Sequence, residues 1–157
     1  MAKLRLSIPM RWSDLDAYGH VNNVRLLTIL EEARIKAFWV QDKSEAAADV
    51  ELSKAAKIFT GDRGSGTMTV IAAQRVEYLR PVEWTGDDLV VDLWLGAIGG
   101  ASMEVCYEVY SADGDLVAIA TTTMVVVDAE HGAPQRIPEE DRAELTRLLE
   151  EPVTFRR

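Results

Sequence analysis

The sequence predicts an α+β domain, one antiparallel sheet of five strands around one long helix. Three observations predict it. The apolar periodicity runs at two, switches once to a helical spacing, and returns to strand-like runs. Those later runs are separated by glycine, proline and aspartate breaks of hairpin size. Finally, the helix and the sheet each present an apolar face that the other can cover.

The elements follow in chain order. From Lys3 to Trp12, the residues Leu4, Leu6, Ile8, Met10 and Trp12 share one parity while Lys3, Arg5, Ser7 and Arg11 share the other, the pattern of a half-buried strand, with Pro9 favouring an edge or bulge. The stretch from Ser13 to Asn23 is rich in turn and cap residues and ends at a helix start. From about Val24 to Gln41, Leu26, Ile29, Leu30, Ala33, Ala37 and Val40 recur at helical spacing, with Asn22 or Asn23 able to cap. An alanine-rich stretch from Ser44 to Phe59 reads as a second short helix, and Thr60-Gly-Asp-Arg-Gly-Ser-Gly66 breaks it. Four strands are then expected: Thr67 to Leu79, closed by Pro81; a run around Leu89, Val91, Leu93 and Leu95; a run around Met103, Val105, Tyr107 and Val109; and Leu116 to Val127, apolar on both parities as in mid-sheet. Gly99-Gly100 and Ala112-Asp113-Gly114 are the turns between them. Pro138 to Glu150 reads as a short charged helix. Such a layer leaves a sheet face or an edge exposed, and self-association is expected to cover it.

Composition bounds the function. With 157 residues the chain is one domain, with a core from about residue 4 to 128 and a helical tail from 138 to 150. No apolar run reaches the ~18 residues of a membrane span, and the N-terminus alternates instead of running apolar, so a reducing cytoplasm is expected. The single cysteine, Cys106, excludes an internal disulfide and multi-cysteine zinc sites. A net charge of -9 argues against a nucleic-acid surface. The charge is uneven: Met1 to Ser44 holds 7 basic and 5 acidic residues, the remainder 10 and 21, so an anionic ligand is expected to meet the first third.

The chemistry is concentrated in Asp14-Leu-Asp16-Ala-Tyr18-Gly19-His20-Val21-Asn22-Asn23, directly before the long helix. Free backbone N–H groups and the positive end of the helix dipole lie there and stabilise an oxyanion. Gly19 permits a positive φ or a close approach of the backbone to a ligand. Asp16 is placed to act as nucleophile or general base beside those donors. The competing structural reading is that Asp14 and Asp16 are turn and cap residues, that His20 braces the loop, and that Asn22 and Asn23 are caps. A metal site from Asp14, Asp16, His20 and His131 matches no standard ligand spacing, so no metal is expected.

The string Arg11-Trp-Ser-Asp-Leu-Asp-Ala-Tyr-Gly-His-Val-Asn-Asn-Val24, followed by Leu30-Glu-Glu-Ala-Arg34, resembles the signature of hotdog-fold acyl-CoA thioesterases, of the 4-hydroxybenzoyl-CoA thioesterase type and its fatty-acyl relatives. Glu77-Tyr-Leu-Arg-Pro-Val82, the Gly86-Asp87 turn, Ser102 and Asp113-Gly114 extend the resemblance over about Leu4 to Asp128. It implies the hotdog fold, a sheet wrapped around one helix, and an acyl-CoA substrate hydrolysed without any cofactor. It also implies a homodimer or homotetramer with the site at the subunit interface. Asp16 falls on the family's catalytic carboxylate, and His20 on the histidine that acyl-carrier-protein thioesterases use beside it. The backbone of Val21, Asn22 and Asn23 corresponds to the polarising helix N-terminus. Tyr18, Gly19, Arg80 and Ser102 are expected at the substrate, and Arg11 and Arg80 are candidates for CoA phosphates. Two positions depart from the pattern: Tyr18 replaces an asparagine of the carrier-protein enzymes, and Leu26 stands where many members have an aromatic residue.

A thiolate leaves more readily than an alkoxide, since its parent pKa is only about 8.5, so a carboxylate and an oxyanion site suffice for the reaction. The competing expectations are a hydratase or dehydratase acting on an acyl thioester, and a non-catalytic acyl-thioester binding domain, since one fold hosts many functions.

Overall fold

The structure, a computed structural model, describes residues 3–39, 58–59 and 66–157. The expected helix from Ser44 to Phe59 and the break that follows lie outside the described residues, apart from Ile58, Phe59 and Gly66. The elements are β1 (Leu4–Ile8), α1 (Asn23–Phe38), β2 (Thr67–Tyr78), β3 (Leu89–Ile98), β4 (Ser102–Tyr110), β5 (Leu116–Asp128) and α2 (Glu139–Thr146). The strands form one five-stranded sheet in the order β1-β3-β4-β5-β2, every neighbouring pair antiparallel.

β1 shows the expected alternation, with Leu4, Leu6 and Ile8 buried and Arg5 and Ser7 exposed. It is shorter than the periodicity predicts. Proline has no N–H to give the ladder, and after Pro9 the chain turns into a 3-10 turn at Trp12–Asp14. α1 starts where Asn22 caps it, its side-chain oxygen accepting the Val24 N–H at 2.9 Å. Leu26, Ile29, Leu30, Ala33, Ala37 and Phe38 are buried against the concave side of the sheet, on Leu93, Leu95, Val105, Tyr107 and Met124 among others. Burying a side chain the size of Leu30 or Phe38 stabilises the fold by roughly 1.5–3 kcal/mol. The helix ends at Phe38, where Trp39 turns extended and returns its N–H to the Ile35 carbonyl.

The chain's own tail covers part of the convex face of the sheet, so that of the expected exposed face or edge it is an edge that remains. Leu95 donates to the Leu148 carbonyl at 2.8 Å and accepts from the Glu150 N–H at 2.9 Å, so the tail adds to the edge of β3 that the short β1 leaves free. Trp94 and Cys106, paired on the convex face, lie under it: the Trp94 indole N–H donates to the Glu151 carbonyl at 2.8 Å. Gly96 lets the tail approach, since a Cβ there would stand 2.8 Å from Cys106 Sγ and 3.2 Å from Pro152 Cα. The tail then reaches β2, where the Arg156 and Arg157 N–H groups donate to the Glu77 carboxylate and Phe155 stacks under the Arg75 guanidinium.

What stays open is the edge of β2. Among the described residues no strand pairs with its outer side, and Met68, Val70, Ile71 and Tyr78 are exposed along it. A register shift between Ile71 and Ala73 marks a bulge. It resets the parity, so that Thr69 and Ile71 before it and Gln74 and Tyr78 after it all turn toward α1. Simple alternation cannot show this.

Candidate active site

The loop before α1 is built around a buried carboxylate. Asp14 is 1% exposed. Its Oδ2 accepts the Arg11 backbone N–H at 2.8 Å, and its Oδ1 accepts Arg11 Nη2 at 3.1 Å. Burial pushes its pKa up, but the hydrogen bonds and charge of Arg11 outweigh that and hold the carboxyl below the usual range. Asp14 is therefore the brace of the loop, as the structural reading had it. Arg11, expected at CoA phosphates, is engaged in that brace.

Asp16 sits two residues on, half-buried. Its Oδ1 accepts the N–H groups of Tyr18 at 2.8 Å and His20 at 3.2 Å, and its own N–H donates to the His20 carbonyl at 2.8 Å. The turn needs Gly19, whose φ is +76°, a conformation costing other L-residues roughly 1–2 kcal/mol. One oxygen thus fixes the loop while Oδ2 accepts no hydrogen bond among the described residues. The carboxylate is oriented by one atom and available through the other.

Asp16, His20, Val21, Asn23 and Leu26 line a cavity of about 370 Å³, with Tyr78 to Val82 and Val117 on its other side. His20 meets Asp16 through backbone atoms, and an isolated bridge to Glu83 pins it to the segment after β2. Three expected donors resolve into one. The Val21 N–H donates to the Val82 carbonyl at 2.8 Å and the Asn22 N–H to the Asp14 carbonyl at 2.7 Å, so both are spent on holding the loop. Asn23, at the first position of α1, keeps an N–H that no acceptor takes among the described residues, where the helix dipole favours developing negative charge.

Other expected residues divide. Arg80 lines the cavity and pairs with Asp115 at 3.5 Å, both side chains exposed. Tyr18 is 85% exposed and outside the cavity; only its backbone serves Asp16. Gly19 also stays outside the cavity lining and acts through its turn. Ser102 is opposite Val125 in the sheet, eight residues along β5 from the cavity residue Val117, or roughly 26 Å at strand rise. It does not line this cavity. Tyr78 is the residue that sequence reasoning did not single out. It donates its hydroxyl to the Asn23 carbonyl at 2.7 Å and joins the end of β2 to the start of α1. Burial raises its pKa. The string Glu77-Tyr-Leu-Arg-Pro-Val82 contained it, but a contact across 55 residues has no local signature.

Among the described residues no cluster of three or more His, Cys, Asp and Glu is arranged to hold a metal, and no helix is long and apolar enough to cross a membrane.

Comparison with known proteins bears on this site. The family model described as the thioesterase-like superfamily matches residues 10–145. The Bacillus subtilis (strain 168) protein YsmA is 27% identical over 138 residues, covering 88% of this chain and 82% of its own. A thioesterase from Thermus thermophilus, solved in complex with coenzyme A and Zn, is 26% identical with a TM-score of 0.64, covering 94% of each chain. The DHNA-CoA thioesterase of Staphylococcus aureus superposes with a TM-score of 0.75 at 16% identity, over 92% of this chain and 91% of its own, a likeness of fold.

Proposed function

Since the chain belongs to the thioesterase-like superfamily and has its hotdog fold, we propose that it is an acyl-CoA thioesterase that hydrolyses an acyl-CoA to the free acid and CoA, with Asp16 as the catalytic carboxylate. The observation that carries this reading is the divided role of Asp16: Oδ1 is fixed by two backbone N–H groups while Oδ2 takes no hydrogen bond among the described residues, in the same cavity as Asn23 at the helix N-terminus. In the proposed reaction the thioester carbonyl lies against the Asn23 N–H. Oδ2 either attacks the carbonyl carbon or takes a proton from a water that does. The tetrahedral intermediate collapses with cleavage of the C–S bond, and the thiolate leaves without a strong general acid. On the first route water hydrolyses the anhydride, and on the second the proton held by Asp16 passes to the departing thiolate or to solvent; either returns Asp16 to its carboxylate. His20 borders the same cavity and is proposed to act beside Asp16. No cofactor is required. Arg80 is proposed at a CoA phosphate, because its exposed pairing with Asp115 is weak and exchanges readily for a dianion.

The working unit is proposed to be at least a dimer. From Met68 to Tyr78 no strand among the described residues pairs with the outer edge of β2, and stable proteins cover or pair such edges. The cavity around Asp16 lies at the Tyr78 end of β2, and Ser102 lies near its Thr67 end. Antiparallel pairing of two β2 edges about a two-fold axis brings the Tyr78 end of one copy beside the Thr67 end of the other, so the cavity around Asp16 is proposed to lie at the interface.

A thiol-release assay over a panel of acyl-CoAs tests the activity, with the acyl product identified. Free acid and CoA thiol support it. An altered acyl chain still bound to CoA indicates a hydratase or dehydratase, and binding without turnover indicates a binding domain. A single turnover in oxygen-18 water separates the two roles of Asp16. Label in Asp16 with an unlabelled product identifies an anhydride opened at the Asp16 carbonyl; label in the product alone, with no acyl-enzyme trapped by hydroxylamine, supports the general base.

A further inference from the structure

A second cavity, of about 330 Å³, lies between the C-terminal half of α1 and the first residues of β2. Ile35, Trp39, Ile71 and Met124 give it apolar walls, and Arg34 is the buried charge among them. Arg34 is 5% exposed. Its Nη1 donates to the Tyr107 hydroxyl at 3.1 Å and to Thr122 Oγ1 at 3.4 Å. Tyr107 in turn donates to Thr122 at 3.1 Å, and Thr122 to Gln74 Oε1 at 3.1 Å. Every dipole in this chain turns its oxygen toward the guanidinium, so the network orients and solvates the charge without neutralising it. Glu31 borders the cavity one turn earlier but is exposed, and among the described residues no carboxylate stands within ion-pair distance of Arg34.

A buried cation is costly unless an anion accompanies it. Arginine carries five donors in a planar fork. Here Nη1 is used, and Nε and Nη2 take no partner among the described residues. That remaining edge fits two oxygens of one carboxylate, and the apolar walls beside it fit the methylenes such a carboxylate would arrive on.

We propose that Arg34 receives a carboxylate at the far end of the acyl group, which makes CoA monothioesters of dicarboxylic acids the preferred substrates. This rests on the thioesterase reading for the reaction but not for the binding. Both cavities flank α1 and β2. Asn23 and Arg34 are eleven residues apart on the helix, about 16 Å along its axis, a span that an extended chain of about a dozen carbons bridges within one protomer. The two-fold pairing of β2 also sets this cavity beside the partner's Asp16 site.

The test compares kcat/KM for dicarboxylic monothioesters from glutaryl-CoA to dodecanedioyl-CoA, each against its monocarboxylic counterpart. A preference of at least tenfold is expected at one chain length, falling to about one in Arg34→Gln. Use of the ratio cancels any general loss of folded enzyme. Ile35→Trp, which fills the cavity without removing the charge, is expected to abolish the same preference and serves where Arg34→Gln does not fold. Binding of the free dicarboxylic acid of the preferred length, or of suberate if no ester reacts, is measured by calorimetry on wild type and both variants. If no ester is hydrolysed but suberate binds wild type and neither variant, the thioesterase reading fails and the Arg34 site stands. If monocarboxylic esters are hydrolysed, ratios stay near one at every length and no dicarboxylate binds, the Arg34 proposal is overturned while the thioesterase reading stands.

Discussion

Replacing Asp14 by alanine removes the brace of the loop before α1, and the loss can be sized from its contacts. The 1%-exposed carboxylate accepts the Arg11 backbone N–H at 2.8 Å and two guanidinium nitrogens at 3.1 and 3.4 Å. A hydrogen bond to a charged group contributes about 1.5–3 kcal/mol. The guanidinium is largely solvated, and an exposed ionic contact contributes only about 0–1 kcal/mol. A net destabilisation of about 2 kcal/mol is therefore expected, which at this chain length lowers Tm by roughly 4–8 °C. The carboxyl has its pKa lowered in the folded state. Its contribution is thus complete above the unfolded value of about 3.9 and disappears as pH falls through the lower folded value. Urea titrations of wild type and Asp14→Ala from pH 7 to the lowest pH at which both fold measure this directly. The difference should hold constant down to about pH 5 and then shrink. A Tm within 1 °C of wild type at pH 7, or a difference that grows on acidification, would refute the reasoning.

Three further outcomes follow from the packing. Gly96→Ala places a methyl group 2.8 Å from Cys106 Sγ and 3.2 Å from Pro152 Cα, so chemical denaturation should show a loss of about 1–3 kcal/mol, typical of overpacking, partly restored by adding Cys106→Ala. Burial pushes the Cys106 thiol up to about 11; iodoacetamide at pH 8 should leave the native protein unlabelled and modify it fully in urea, and labelling of the native state would contradict the buried assignment. Sedimentation equilibrium should give at least two chains per particle, and the charge introduced by Val70→Lys on the exposed part of β2 should shift the protein toward monomer; a wild-type monomer at micromolar concentration would remove the proposed interface.

The sequence made the element order legible because its signals are local. Alternation defined β1, the 3.6 spacing of Leu26, Ile29, Leu30, Ala33 and Ala37 defined α1, and the glycine and aspartate breaks separated β3, β4 and β5. The Asp16 loop was legible for the same reason, since an Asx-type turn capped by Gly19 is written within five residues. What escaped depended on partners distant in sequence. The donors of Val21 and Asn22 looked free until Val82 and the Asp14 carbonyl were placed against them. Ser102 looked like a site residue until the register of β4 on β5 carried it to the other end of the sheet. Tyr78 acquired its role only when β2 met the start of α1. Arg34 stood in the recognised Leu30-Glu-Glu-Ala-Arg34 string, yet its burial among Tyr107, Thr122 and Gln74 comes from three separate strands. The tail's cover over part of the convex face escaped because its turn at Leu148 to Pro152 has no periodicity to announce it.

The central claim is that Asp16 performs the chemistry through the oxygen the loop does not use. Asp16→Asn tests it most directly, because asparagine retains an oxygen able to accept the Tyr18 and His20 N–H groups and so preserves the turn. Thiol release from the best acyl-CoA of the panel should fall by about 100- to 10,000-fold, with a Tm close to that of wild type. Turnover near the wild-type rate in a folded Asp16→Asn protein would contradict the account.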